Sequence, residues 1–220
     1  MGRGLFVTGT DTGVGKTVVA AAILRALGAS GRRAIGMKPV SAGLAADGSA
    51  NPDVTALAAA GNVAASLRDR NPYALAKAIA PHLAAAETGA TIDLAIIAAA
   101  YARLAAQADV VVVEGAGGAL VPLDATHDML DIAARLRLPV LLVVGMRLGC
   151  LNHALLSAAA IHARGLELAG WFANCIDPRM ESVAANIEAL SSRLPAPLIA
   201  KFAWDALAVL PRGALDNLLV

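Results

Sequence analysis

Aromatic residues are scarce in this 220-residue chain: three Phe, two Tyr and two Trp, 3% of the whole. Proteins that bind single-stranded nucleic acid combine aromatic stacking platforms with a basic groove. With 18 Lys and Arg against 17 Asp and Glu, the formal net charge is only +1, so the basic field is missing as well. Cysteine is rarer still. Cys150 and Cys175 are too widely spaced for a metal knuckle and too few for a disulfide framework, which leaves two reduced thiols as the expectation. No apolar run approaches the roughly 18 residues of a membrane span. Hydrophobic residues reach 58%, but much of that is alanine in helical stretches. The amino-terminal "MGRGLFVTGT" has one positive charge and an apolar segment too short for a signal peptide, and Phe6 breaks a myristoylation signal. These absences predict a cytoplasmic protein that binds neither nucleic acid nor membrane.

What the chain does have is short apolar runs that end in small or polar residues. "LFVTG" (5–9), "DVVVVEGAGG" (109–118) and "PVLLVVG" (139–145) are continuously hydrophobic, as suits parallel strands covered on both faces. "RRAIGMKPV" (32–40), "LAGWFANC" (168–175) and "APLIAKFAW" (196–204) read as further strands. Helical patterns lie between them, over Lys16 to Leu27, Thr91 to Gln107, Asp128 to Leu136, Leu151 to Ala163 and Glu181 to Arg193. The alternation predicts one α/β domain over 1–220: a mostly parallel central sheet, helices on both faces, and active-site loops at the C-terminal ends of the strands. Residues 41–91 fit less neatly. Gly43, Asp47 to Pro52, Asn71-Pro72 and Pro81 punctuate them into loops and short helices, read as an insertion that shapes a pocket. "PRGALDNLLV" at 211–220 predicts a terminal turn or short helix.

The chemistry begins at "GTDTGVGKT", Gly9 to Thr17, between a predicted strand and a predicted helix. Glycines 9, 13 and 15 let backbone N–H groups converge on an anion, and the helix N-terminus adds unpaired donors. Lys16 is placed to hold β and γ phosphate oxygens, and the Thr17 hydroxyl to ligate Mg2+. The spacing is irregular: five residues, not four, separate Gly9 from Gly15. Magnesium prefers octahedral oxygen coordination, so carboxylates should join Thr17. Glu114, after four valines and before "GAGG", would be costly near a core unless paired or bound to metal. Asp53 in "NPDVTAL" is a second candidate, although its position suits an ordinary helix-start aspartate equally well. Lys38 in "AIGMKPV" leaves the end of a strand, with Pro39 forcing an extended exit; the residues alone allow either a site lysine or a surface lysine. Gly149 to Asn152 precede an alanine-rich helix and by themselves form a simple helix cap. Trp171 and Trp204, beside predicted strand ends, read as packing residues, and the four histidines as structural or exposed.

"GTDTGVGKT", "KPVSAG", "VEGAGG" and "LGCLNH", in this order, resemble the dethiobiotin synthetase family over residues 5 to about 204. The resemblance places the chain in a phosphate-loop branch with a longer loop. Filament-forming and partitioning cousins carry a second lysine near the loop start, where this chain has Asp11 and Thr12. The family's activity is implied: ring closure of 7,8-diaminononanoate with CO2 and ATP, giving dethiobiotin, ADP and phosphate. Implied with it are Lys38, Lys16 and Thr12 as catalytic residues, and Thr17, Asp53 and Glu114 as Mg2+ ligands. ATP contacts are implied for Gly13, Val14, Gly15, Lys16, Thr17 and Val18, for Asp53, for Glu114, Gly115, Ala116 and Gly117, and for Asn174 at the adenine edge. The substrate is implied to touch Thr12, Lys38 and Ser41, with its carboxylate at Gly149, Cys150, Leu151 and Asn152 of a second subunit in a homodimer with composite sites.

Three departures from the family pattern bear on substrate and nucleotide contacts. Ser41-Ala42 stands where a Ser or Thr usually precedes the glycine, "KAIAPH" (77–82) replaces an acidic segment, and Ala203 replaces a proline of the adenine loop. Two other functions share the loop: an amide-forming ligase of cobalamin synthesis, whose glutamine-amidotransferase extension 220 residues do not accommodate, and a nucleotide-switch ATPase acting through a protein partner.

Overall fold

The four valines at 110–113 are all fully buried, and their alternation shows how the fold is layered. Val110 and Val112 pack with Leu5, Val7 and the helix after the phosphate loop, whereas Val111 and Val113 pack with Phe6, Ile97 and Leu130 on the other face. A strand that is apolar on both sides belongs inside a three-layer α/β structure. The computed structural model describes residues 3–45 and 49–218. Asp47 and Gly48 of the predicted loop punctuation, and the last two residues of the predicted terminal turn, lie outside the described residues.

The chain runs through β1 (Arg3–Gly9), α1 (Lys16–Ala29), β2 (Ala34–Met37), β3 (Val40–Ala42), α2 (Pro52–Ala60), α3 (Leu67–Arg70), β4 (Tyr73–Leu75) and α4 (Pro81–Glu87). It continues through α5 (Leu94–Ala105), β5 (Val110–Gly118), α6 (Met129–Leu136), β6 (Val140–Met146), α7 (Cys150–Ala163), β7 (Leu168–Cys175), α8 (Val183–Ser191) and β8 (Leu198–Phe202), then a 3-10 turn at Asp216–Leu218. The main sheet has the order β2-β5-β1-β6-β7-β8, and every pairing within it is parallel. All C-terminal strand ends therefore share one edge. The chain leaves β1 toward β2 on one side and β6 toward β7 on the other, so a crevice opens where these directions diverge.

One sequence expectation is corrected here. "RRAIGMKPV" is not a single strand: β2 ends at Met37, and β3 belongs to a separate two-stranded sheet with β4. Pro39 has no N–H to continue a ladder, and Val40 pairs with Tyr73 instead. Trp204 is corrected too: it is 53% exposed, while Trp171 inside β7 is fully buried. No helix among the described residues is long and apolar enough to cross a membrane.

Candidate active site

The phosphate loop is pinned at several points. The Thr10 N–H donates to the Val143 carbonyl at 3.0 Å, and Gly145 N–H donates to the Thr10 hydroxyl at 3.3 Å. Val14 is buried against Gly145 and anchors the tip. Gly15 caps α1 with φ of 88°, a left-handed conformation, and a Cβ there would lie 2.1 Å from Asn174 Nδ2. Only glycine meets both demands. The first helical bond joins Val19 N–H to the Gly15 carbonyl, so the N–H groups of Lys16, Thr17 and Val18 have no acceptor within the helix. These free donors and the helix dipole make an anion cradle. Lys16 folds back over it, with Nζ 2.9 Å from the Asp11 carbonyl.

Parallel register sets Glu114 level with Val7, on the α1 face of the sheet. Its carboxylate is fully buried beneath Thr17, whose hydroxyl donates to Oε1 at 2.9 Å. Lys38, entering from the end of β2, donates to Glu114 Oε1 at 2.5 Å and to Asp53 Oδ2 at 2.8 Å. Asp53 is brought there by α2, whose cap Asn51 accepts from the Asp53 N–H. Burial disfavours the charged form of Lys38, but the Glu114 and Asp53 carboxylates outweigh it and hold the pKa above the ordinary lysine value. Burial pushes Glu114 up, against the pull of Lys38. Lys16 has no such partner: burial, then the charge of Lys38, lowers its pKa to about 8.

These residues line an open cleft of about 770 Å³, within the size range of small-molecule sites. Thr12, Gly13, Gly15, Lys16, Thr17 and Val18 form one wall. Lys38, Asp53, Glu114, Ala116 and Gly117 form the floor and far side. Ala42, Asn51, Val121 and residues 78–81 close the cleft, the last giving a largely apolar wall where the family pattern is acidic. A smaller cavity of about 210 Å³ lies at the opposite end of α1, against residues 210–216, and holds no comparable group of charges.

Several predicted contacts fall elsewhere. Ser41 is fully buried and donates to Asn71 Oδ1, so the neighbouring wall residue is Ala42. Val14 and Gly115 are packed behind the surface, the latter against Met129 and Phe6. Asn174 stands at the end of β7 with Nδ2 donating to the Val14 carbonyl at 2.8 Å; it holds the loop and has only Oδ1 to offer. Gly149 to Asn152 start α7 and do not line this cleft. Sequence reasoning missed Asn51, whose side chain donates to the Gly43 carbonyl at 2.6 Å, and Arg147, which pairs with Asp11 at 2.5 Å. Their only sequence signals, a helix-cap Asn before Pro and an Arg in a strand-end loop, are common and unspecific.

A divalent cation suits the floor of the cleft. Glu114 Oε2 is buried without a hydrogen-bond partner, beside a second carboxylate and a hydroxyl, all hard oxygen donors. Among the described residues no three His, Cys, Asp or Glu side chains converge, so such an ion would need phosphate oxygens or water to complete its shell.

A phosphate cradle at the sheet edge, with Lys16 above it and a Thr and two carboxylates below, defines a phosphate-loop nucleotide-binding α/β protein. Consistent with this, the AAA domain family matches residues 3–211. The septum site-determining protein MinD of Pyrococcus horikoshii, solved with Mg-ADP, superposes with a TM-score of 0.56 at 18% identity, covering 99% of this chain and 87% of that one. Cell division protein FtsY of Thermotoga maritima gives 0.53 at 17%, covering 100% and 69%; both likenesses concern the fold. Sequence relatives are more specific. The ATP-dependent dethiobiotin synthetase BioD of Nitrosospira multiformis is 52% identical over 93% of this chain and 90% of its own length, and that of Aromatoleum aromaticum 54% identical over 90% and 88%. The chain belongs to the ATP-dependent dethiobiotin synthetase family.

Proposed function

We propose that the protein closes the ureido ring of dethiobiotin from 7,8-diaminononanoate, CO2 and ATP, in biotin synthesis. The observation that carries this reading is the meeting of Lys38 with Thr17, Asp53 and Glu114 beside the phosphate cradle. One amine of the diamine bonds to CO2 and loses a proton, giving a carbamate. A carbamate oxygen then attacks the γ-phosphorus, the bond to the bridging oxygen breaks, and ADP leaves. The second amine attacks the carbonyl carbon of the mixed anhydride, the C–O bond breaks with its electron pair leaving on phosphate, and the amine gives up a proton to the departing phosphate or solvent as the ring closes.

The phosphorylation step brings an anionic nucleophile against an anionic phosphate, so it requires concentrated positive charge. Lys16 and the free N–H groups of α1 serve the triphosphate. Lys38 serves the carbamate and the γ-phosphate, and Thr12 lines the substrate side. Mg2+, held by Thr17, Asp53 and Glu114, would neutralise phosphate oxygens. Asn174 is assigned to the adenine edge through Oδ1, and residues 41–91 to the substrate side of the cleft, as the lining of Ala42, Asn51 and 78–81 supports. The start of α7 lies outside its own cleft, and the adjoining Leu148 is 97% exposed. Both facts support a homodimer in which Gly149 to Asn152 of one subunit bind the substrate carboxylate of the other.

The test is direct. ADP release should require diamine and CO2 together and should yield dethiobiotin by mass spectrometry. ATP turnover indifferent to the diamine, or no ureido product from folded protein, would sink the reading.

A further inference from the structure

Lys38 and Pro39 bridge two sheets; the Pro39 carbonyl accepts from the Tyr73 N–H of β4 at 3.1 Å, whereas Lys38 has no strand partner of its own. Both peptide groups of Lys38 are nevertheless paired, and by one dipeptide. The Lys38 N–H donates to the Arg70 carbonyl at 2.8 Å, and Asn71 Nδ2 donates to the Lys38 carbonyl at 2.7 Å. Asn71 is buried, and its Nδ2 also donates to the Tyr73 carbonyl at 3.2 Å. Two carbonyls on one side of the amide require the nitrogen there, which turns Oδ1 to the Ser41 hydroxyl at 2.9 Å. The two carbonyls thus set the rotation of the Asn71 amide, and Ser41, itself fully buried, satisfies and braces its Oδ1.

The support behind this pair is stiff. Arg70 is buried and makes no ion pair among the described residues; its guanidinium donates to the carbonyls of Val63 at 2.7 Å, Gly36 at 3.1 Å and Ala65 at 3.4 Å. A charge spent on three backbone carbonyls ties residues 63–71 to the end of β2. The tip of Lys38 is held differently, by Asp53 and Glu114, the two carboxylates that also suit a divalent cation. Restraint at the root of the side chain does not compete with that use.

We propose that Asn71, braced by Ser41, is the positioning residue for Lys38. The amide fixes the backbone from which the lysine reaches the cleft, so Ser41 acts through Asn71 and not through the substrate. This rests on the assignment of Lys38 to the phosphorylation step.

The experiment compares Asn71→Ala, Ser41→Ala, their double variant and Lys38→Ala, measuring kcat, the KM for ATP and diamine, ADP affinity by calorimetry, and thermal unfolding. Asn71→Ala should lower kcat by about 100-fold, the scale set by misplacing a reacting group by roughly 1 Å, while ADP affinity and the KM for ATP hold. Ser41→Ala should lower kcat less, and the double variant should be no worse than Asn71→Ala alone, because the serine acts through the amide. A folded Asn71→Ala with wild-type kcat overturns the proposal, as does a parallel loss of ADP affinity. Additive losses overturn the place given to Ser41. If Asn71→Ala does not fold, Ser41→Ala decides, and an unchanged kcat there counts against it. Lys38→Ala separates the two readings: full activity removes the role of Lys38 itself, whereas an inactive Lys38→Ala beside a fully active Asn71→Ala removes only the positioning role.

Discussion

Lys16 and Lys38 share one cleft but meet opposite surroundings, and their separate uses follow from this. Lys38 keeps its charge because two carboxylates face it, whereas Lys16 rests on a backbone carbonyl, and burial, then the charge of Lys38, lowers its pKa to about 8. In the free protein Lys16 loses its proton as pH rises through that value, while bound phosphates would favour the charged form. ADP affinity should therefore be insensitive to this group below pH 8 and fall above it, by at most about tenfold per unit. The sign for folding is opposite: the native pKa lies below the unfolded one, so this lysine adds stability as pH rises from about 8 toward its ordinary value. Calorimetric ADP titrations between pH 7 and 9.5 check the binding claim, and Lys16→Arg should abolish the slope. Lys16→Ala should weaken ADP by about 10- to 100-fold, the worth of a charged hydrogen bond. Lys38→Ala should act mainly on kcat; equal loss of ADP affinity in both variants would contradict the assignment.

At the scale of elements, α6 supports the site from below. Its cap is reciprocal: Asp128 Oδ1 accepts the Leu130 N–H at 2.9 Å, and Asp131 Oδ2 accepts the Asp128 N–H at 2.7 Å, with Arg164 bonded to both aspartates. Met129, at its start, packs under Gly115. Asp128→Ala should cost about 1–2 kcal/mol, or roughly 2–8 °C in Tm, with the KM for ATP unchanged. Thermal unfolding beside steady-state kinetics measures both. Elements of this length were legible in the sequence, because the valines of β5 and the Asp-capped α6 carry their patterns over many residues. β3 and β4 were not: three residues each are too few to show a period, and the Lys38-Pro39 joint between sheets depends on Asn71 and Tyr73, distant in sequence. The site divides similarly. Lys16, Thr17 and Glu114 could be read from motif and position, but the inward turn of Ser41 depends on a buried amide that no local pattern announces.

For the whole molecule, the proposed composite site makes a prediction about assembly. A composite site requires two chains, so sedimentation at micromolar concentration should show a dimer of about 44 kDa, twice the 22.1 kDa chain. A monomer that turns over diamine at full rate would overturn the composite site. The two tryptophans have a practical consequence. Trp171 is sealed inside β7, whereas Trp204 stands half in water just past β8, on the same sheet edge as the phosphate loop. Ultraviolet emission from this chain thus comes from two indoles of unlike polarity, and an aqueous iodide quencher has direct contact with only one of them.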